Sequence, residues 1–266
     1  MKIESGQVAV ITGGASGIGL GLAHELGRRG MSVVVADVSS DGLAAATAEL
    51  EAAGIETMAV VCDVSSEADV AALADQAFGW KGHVNVVCNN AGVVAFGPAF
   101  ESLDDWRWVI DVDLWGVVHG MHAFVPRMLD SGHPGHVVNT SSTAGLLGFP
   151  NIASYVAAKH AVVGLSQSTW QELKKTDVSV SVLCPGVVDT NIAASHLDRP
   201  TAEDGEEGHR PMNDHPESMT PAEVAVIVAA AIEADQFWIL PHEHYGEQAL
   251  ELARQRVAKG DPVLPR

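Results

Sequence analysis

The sequence predicts an α/β fold, a single domain whose doubly wound parallel sheet has about seven strands and helices on both faces. The first observation behind this prediction is a series of short β-branched runs that are apolar on both sides, which is typical of strands covered by helices on both faces. The second is that Ala- and Leu-rich helical stretches lie between these runs, and repeated βα units form parallel sheets with right-handed crossovers.

The 266 residues are predicted to form one domain over 1–266. The predicted strands are 7–12, 32–37, 57–63, 84–90, 136–142, 178–185 and 237–240. The predicted helices cover about 17–29, 40–53, 66–79, 102–130, 152–175 and 221–234.

A polar insert interrupts this alternation at residues 191–220, which contain "EDGEEGHRPMNDHPES" and show no strand pattern. We expect a substrate lid loop here, and a disordered surface loop is the alternative. The stretch "TPAE" at 220–223 then predicts a helix start, with Thr as the cap, Pro in the first turn and Glu at the third position. Residues 241–266 are expected to form a C-terminal extension.

Composition argues against several classes of partner. The formal net charge is −19 at pH 7, and such an acidic surface repels nucleic-acid phosphates and anionic lipids, so we expect neither partner. No apolar run reaches the length of about 18 residues needed to span a bilayer, and the N-terminus lacks the apolar core of a signal peptide. The three cysteines form no C-x-x-C pair. A cytoplasmic protein is expected.

The 12 histidines raise the possibility of a metal hydrolase. However, they show no H-E-x-x-H spacing, and His209, His215, His242 and His244 fall in or near predicted loops. We therefore expect surface histidines and no metal site.

A glycine turn follows the first predicted strand and opens the first helix, in "TGGASGIG" at 12–19. Glycines allow a sharp turn and a close approach to a pyrophosphate, and the helix N-terminus offers free N–H groups to it. No Lys follows, which argues against a P-loop for ATP or GTP. The predicted cofactor-binding residues of this turn are Gly13, Ser16, Gly17, Ile18 and Gly19.

Asp37 ends the second predicted strand, where a carboxylate can accept hydrogen bonds from the adenosine ribose and repel a 2′-phosphate. Neither Ser16 in the glycine turn nor Val38 and Ser39 beside Asp37 carries a positive charge. The sequence therefore predicts NAD, a nucleotide cofactor, rather than NADP. The alternative is that Asp37 only caps the next turn.

Tyr155 and Lys159 are four residues apart in a predicted helix and so lie on one face of it. An ammonium beside a phenol lowers the pKa of the tyrosine and makes it a usable general acid or base. Without other support, a tyrosine bonded to backbone and a lysine that extends to solvent would be the better explanation of the pair.

These motifs together resemble the short-chain dehydrogenase/reductase family over nearly all of residues 5–240, on a Rossmann-type fold. Beyond the glycine turn and the Tyr155–Lys159 pair, the resemblance rests on "DV" at 63–64, "NNAG" at 89–92, Ser142, and "PGVVDT" at 185–190. It implies an NAD(H)-dependent alcohol dehydrogenase or ketone reductase.

The resemblance also implies residue roles. Tyr155 would exchange a proton with the substrate oxygen, Ser142 would orient that oxygen, and Lys159 would bind the nicotinamide ribose. The further cofactor-binding residues that it implies are Asp63, Val64, Asn90, Gly92, Val188 and Thr190.

One position departs from the family pattern. The family usually has Asn-Leu-x-Gly where this chain has "DLWG", so Asp113 replaces an Asn that holds a water beside the lysine. We expect Asp113 to lie near Lys159 and to join the catalytic residues, with its carbonyl in the water-binding role. The alternative is that its side chain pairs with a helix terminus or solvent.

The expected substrate is a hydrophobic secondary alcohol or its ketone, because almost no charge occurs in the segments expected around it: 92–96, Trp115, 145–149 and 186–188. Apolar surface on the helices at 102–130 and 152–175 predicts a homo-oligomer, and the resemblance favours a homotetramer. The alternatives are a non-catalytic NAD-binding regulator, which often lacks the Tyr or Lys, and a sugar-nucleotide epimerase, which needs a larger C-terminal part.

Overall fold

A computed structural model describes residues 1–198, 201–202 and 215–258 of the chain. A seven-stranded sheet forms its centre, and all strand pairs are parallel in the order β3-β2-β1-β4-β5-β6-β7. The strands are β1 (Val8–Thr12), β2 (Ser32–Asp37), β3 (Thr57–Val61), β4 (Val86–Asn89), β5 (Gly135–Thr140), β6 (Val178–Leu183) and β7 (Trp238–Ile239). The predicted fold class is confirmed.

Helices cover both faces of the sheet. They are α1 (Gly17–Arg28), α2 (Ser40–Ala52), α3 (Glu67–Lys81), α4 (Leu103–Ile110), α5 (Gly116–Ser131), α6 (Ala153–Leu173), α7 (Pro221–Ala234) and α8 (Glu243–Val257). The Thr220 cap and its reciprocal bond with Glu223 open α7 as predicted.

Two apolar layers form the core, one on each side of the sheet. Alternate residues of β1 face opposite layers: Ala9 and Ile11 pack with α1 and α7, whereas Val8 and Val10 pack with α3 and α5. This burial on both faces explains why the strands read as continuous apolar runs and not as an alternating pattern.

The segment predicted to be helical over about 102–130 is helical over 103–131, but it contains a turn that was not predicted. A π-helical turn, Asp111–Trp115, separates α4 from α5. Such a turn keeps the helical hydrogen bonding in a wider loop, so hydropathy alone does not reveal it, and it is often found at functional sites. Here it contains Asp113.

The predicted lid at 191–220 lies partly outside the described residues. Its described start is a short 3₁₀ helix, Ile192–Asp198. Ser195 Oγ accepts a hydrogen bond from the Val94 N–H at 2.9 Å, and His196 Nδ1 accepts one from the Phe96 N–H at 2.9 Å. The start of the insert is thus docked on residues 94–96, and whether the whole segment acts as a lid stays a prediction. The C-terminal extension contains α8.

The sheet order reverses at β1, whose neighbours are β2 on one side and β4 on the other. In open α/β sheets a ligand binds outside the carboxyl ends of the strands at such a switch point. The fold therefore predicts a ligand site at the loops after β1 and β4. Within the described parts of the chain, no helix has both the length and the apolar character needed to cross a membrane.

Candidate active site

The turn after β1 contains three glycines whose backbone conformation or close packing disfavours any other residue. Gly13 and Gly17 have φ values of 64° and 53°, in the left-handed region that side chains disfavour. A Cβ on Gly19 would collide with the carbonyl oxygen of Gly13. The three glycines together keep the turn compact and let another group approach its backbone closely.

The N-terminus of α1 opens from this turn. Ser16 is the capping residue, but its side chain makes no capping hydrogen bond. The first N–H groups of a helix have no partner within the helix, and together with the helix dipole they form an anion site. Ile18 packs against the core beneath. The residues present thus fit a nucleotide pyrophosphate.

Asp37, the last residue of β2, lies beside this turn. One carboxylate oxygen accepts the Ala15 N–H at 3.2 Å, and the other accepts the Ser39 N–H at 3.1 Å. The turn-capping alternative is therefore present in the structure, but it also fixes the carboxylate next to the glycine turn. Each oxygen keeps further lone pairs for a ribose hydroxyl.

The predicted residues after β3 and β4 reach the same edge of the sheet. Asp63 accepts two hydrogen bonds from Ser65, and Val64 is buried. The Asn90 side chain donates to the Thr12 carbonyl at 3.0 Å and accepts from Thr140 Oγ1 at 3.3 Å. It thereby ties together the carboxyl ends of β1, β4 and β5.

Thr12 is a residue of this edge that the sequence analysis missed. Its hydroxyl oxygen accepts the N–H groups of Asn90 and Ala91, at 2.9 and 3.1 Å. This contact fixes the start of the "NNAG" segment. The sequence signals for Thr12 are its position at the end of the first predicted strand and at the start of the "TGGASGIG" motif.

Thr190 lies over the glycine turn from the other side. A Cβ on Gly17 would come within 3.1 Å of the Thr190 methyl carbon. Val188 is buried nearby in the core. The segment after β6 therefore lies against the glycine turn after β1.

Lys159 is buried deeply on α6, with only 2% of its surface exposed. Its ammonium lies 5.3 Å from the centre of the Tyr155 ring and donates a hydrogen bond to the Thr140 carbonyl at 3.1 Å. The alternative of a lysine that extends to solvent is wrong for this pair. The end of β5 and one face of α6 hold the ammonium under the phenol.

Asp113 forms an ion pair with this lysine. Its Oδ2 lies 2.9 Å from Lys159 Nζ, and its Oδ1 accepts the Val93 N–H at 2.8 Å. The carboxylate is fully buried, so the expected proximity is confirmed and the solvent-facing alternative is wrong. Gly92 leaves the space for this pair, since a Cβ there would lie 3.3 Å from both charged groups.

Ser142 completes the cluster from the loop after β5. Its Oγ accepts the Ala144 N–H at 3.1 Å and donates to the Pro185 carbonyl at 3.5 Å. Burial raises the pKa of Tyr155, and the nearby Ser142 side chain acts to lower it. Gly145 permits this arrangement, because a Cβ there would lie 2.6 Å from the Lys159 carbonyl oxygen. The loop thus packs directly on α6.

The charges of the cluster are coupled. Burial raises the pKa of Tyr155, while the Lys159 ammonium lowers it and the Asp113 carboxylate raises it again. For Lys159, burial acts to lower the pKa, but Asp113 and Tyr155 outweigh it and the pKa rises. Burial also raises the pKa of Asp113 against the pull of Lys159. A further cation near Tyr155 would therefore favour the phenolate.

Two residues lie away from their expected places. Trp115 is 49% exposed, and its ring packs on His119 at 5.8 Å. His242, expected at the surface, is only 7% exposed, and both its ring nitrogens bond backbone groups. Among the described residues, no group of three or more potential metal ligands comes together.

Known proteins match both the sequence and the fold. The sequence profile of the short chain dehydrogenases matches residues 7–200. A 1-deoxy-11-beta-hydroxypentalenate dehydrogenase of Streptomyces avermitilis is 49% identical over 187 residues, 68% of each chain. A C alpha-dehydrogenase of Sphingobium sp. is 37% identical over 257 residues, 93% of this chain and 84% of the relative.

Solved structures agree. A short-chain dehydrogenase/reductase from Burkholderia phymatum in complex with NAD has a TM-score of 0.92 and 36% identity, and the match covers 100% of this chain and 99% of the other. Other similar structures contain NADPH or NADP.

The fold and these matches define an oxidoreductase that acts on hydroxyl and carbonyl groups with a nicotinamide cofactor. The chain belongs to the short-chain dehydrogenase/reductase family.

Proposed function

We propose that the protein interconverts hydrophobic secondary alcohols and their ketones with NAD(H), and that Tyr155 is the general acid and base. The observation that supports this most strongly is the convergence of Tyr155, Lys159 and Ser142 beside the switch point of the sheet. A non-catalytic NAD-binding protein would not require a phenol, an ammonium and a hydroxyl at one place.

The proton chemistry follows from the positions of these groups. In oxidation, the Tyr155 phenolate accepts the proton of the substrate hydroxyl, and in reduction the phenol returns it to the carbonyl oxygen. Ser142 turns its single hydroxyl proton from the Pro185 carbonyl, 3.5 Å away, to the same substrate oxygen and orients it. Lys159 opposes the effect of burial on the pKa of Tyr155. Nicotinamide, when bound, accepts or supplies the hydride.

The proposed cofactor site uses the remaining predicted residues. The glycine turn and the N-terminus of α1 would hold the pyrophosphate, and Asp37 the adenosine ribose. The other proposed contacts are Asp63, Val64, Asn90, Gly92, Tyr155, Lys159, Val188 and Thr190. Because Asn90 already bonds Thr12 and Thr140 with its side chain, we assign its contribution to the backbone and to the shape of the edge.

NAD(H) is expected to be preferred over NADP(H), because the Asp37 carboxylate would repel a 2′-phosphate and no Lys or Arg lies at 13–19 or 37–42. The measurement is the ratio of kcat/KM for the two cofactors with a panel of alicyclic and aryl-alkyl secondary alcohols. Asp37→Asn should narrow the ratio, and Asp41→Asn, on an exposed carboxylate of the neighbouring helix, is the matched control. A wild-type preference for NADP(H) would contradict the assignment.

The apolar character of the segments expected around the reacting carbon supports an apolar substrate. Val94, Ala95, Leu147 and Val188 are all buried and belong to the segments expected around the reacting carbon. Trp115 is not among them. Turnover of anionic substrates only, in the same panel, would contradict this part of the proposal.

We also propose that the chain forms a homotetramer in the cytoplasm. Trp115 and Leu129 are 49% and 40% exposed on the helical segment that follows α4, and burial between copies is the usual fate of such surface. The three cysteines are free thiols, as a reducing compartment favours. Light scattering at micromolar concentration is expected to give the tetramer mass, and a monomer mass would contradict the proposal.

A further inference from the structure

One imidazole connects the C-terminal extension to the active-site loops. His242 directly precedes α8. Its Nδ1 accepts the Gly186 N–H at 3.0 Å, and its Nε2 lies 2.9 Å from the Glu217 carbonyl oxygen. Since a carbonyl only accepts, Nε2 carries the proton and Nδ1 the lone pair. Both nitrogens are thus engaged by backbone groups.

The Gly186 N–H belongs to the peptide group that holds Ser142. The carbonyl of that group, on Pro185, accepts from the Thr143 N–H at 2.9 Å and faces Ser142 Oγ at 3.5 Å. A peptide group is planar and moves as one unit. His242 therefore fixes one end of the group whose other end contacts the serine.

The packing around this peptide leaves it little freedom. A Cβ on Gly186 would lie 2.9 Å from His242 Cγ and 2.9 Å from Tyr245 Cε2. The His242 and Tyr245 rings thus pack directly against the Gly186 backbone, where a side chain would not fit. A shift of the His242 ring would release the peptide on that side.

The second bond of His242 reaches a segment that pairs with the same loop. Glu217 lies two residues before Met219, whose N–H donates to the Val187 carbonyl at 3.1 Å. The Met219 carbonyl in turn accepts the Asp189 N–H at 2.9 Å. His242 therefore joins the loop at 185–190 and its pairing segment at 217–219.

We propose that His242 is a positioning residue: through the Pro185–Gly186 peptide it holds the Ser142 hydroxyl in place for the substrate oxygen. The proposal rests on the proposed function, since it concerns the serine of that site. Direct contact of His242 with the substrate is not part of it, because the ring is buried and both its nitrogens are bonded.

Two near-isosteric substitutions of His242 each keep one of its two hydrogen bonds and remove the other. His242→Asn places an amide oxygen where Nδ1 lies and can still accept the Gly186 N–H. His242→Gln places an amide nitrogen where Nε2 lies and leaves that N–H without an acceptor. We expect His242→Gln to lower kcat about tenfold, the effect of one lost buried hydrogen bond, and His242→Asn to recover most of this loss.

The controls separate positioning from folding. His244→Gln changes an exposed neighbour whose ring contacts the Glu217 side chain, and its kcat should equal that of the wild type. The thermal midpoints of the two His242 variants should be alike, because each loses one bond. The KM for NAD⁺ should change little in either.

A double-mutant cycle tests the route through the serine. If His242 acts through Ser142, then kcat of Ser142→Ala/His242→Gln should equal that of Ser142→Ala alone, measured at high enzyme concentration. If the two substitutions instead lower kcat independently, so that their factors multiply in the double variant, the proposal is wrong. It is also wrong if His242→Gln keeps the wild-type kcat, or if both His242 variants lose the same factor in kcat. A wild type that oxidises no alcohol with either cofactor would instead refute the proposed function itself.

Discussion

Tyr155→Phe is expected to lower kcat by about 10²–10⁴-fold, the usual contribution of a general acid or base. The substitution removes only the hydroxyl that exchanges a proton with the substrate. The ring that lies 5.3 Å from the Lys159 ammonium remains, so folding and NADH affinity should be nearly unchanged. The measurements are the rate of NADH formation from a secondary alcohol and NADH affinity by fluorescence titration.

Lys159→Ala provides the comparison for this variant. It removes the ammonium that opposes the effect of burial on the pKa of Tyr155 and that would bind the nicotinamide ribose, so it should weaken both catalysis and NADH affinity. A Tyr155→Phe enzyme with near wild-type kcat would show that another group transfers the proton.

Asp113→Asn is expected to move the rise of kcat for alcohol oxidation to lower pH. The Asp113 carboxylate raises the pKa of Tyr155 and the pKa of the adjacent Lys159. Without it, the phenol loses a proton more easily, and the phenolate forms at lower pH. The ammonium also becomes easier to deprotonate, so the rate should fall again toward the alkaline end of the profile.

The measurement for this variant is kcat against pH, with Asp111→Asn as the matched control. Asp111 lies in the same π-helical turn but is exposed, so its substitution should leave the profile in place. In Asp113→Asn the side-chain amide would still offer a carbonyl oxygen to the Val93 N–H, and the turn should keep its shape. Superimposable profiles of wild type and Asp113→Asn would show that the carboxylate is not coupled to the catalytic pair.

Much of the fold could be predicted because its signals are local. Apolar runs mark the buried strands, and Thr220 with Glu223 marks the start of α7. The helical segment at 102–130 was also predicted, but the π-helical turn within it was not. A π-helical turn and an α-helical one have nearly the same pattern of apolar residues, so the sequence does not distinguish them.

In the site, too, residues with a local sequence signal could be predicted and those without one could not. The order of the motifs placed Tyr155, Lys159 and Ser142 together, and the departure at Asp113 drew attention to a carboxylate that proved to be buried. The role of His242 was not predicted, because its partners at 186 and 217 are distant in sequence and are backbone groups. Backbone groups carry no residue-type signal, and only the folded chain brings them to the imidazole.

Transfer of deuterium from a secondary alcohol to the cofactor tests the central claim most directly. An apolar alcohol labelled at its carbinol carbon would be incubated with NAD⁺, and the NADH and ketone formed would be examined by NMR. The proposed chemistry predicts one deuterium at the nicotinamide C4 for each ketone molecule formed, with near-complete loss of transfer in Tyr155→Phe. Ketone formation without deuterium in the nicotinamide, or no ketone from any alcohol with NAD⁺, would contradict it.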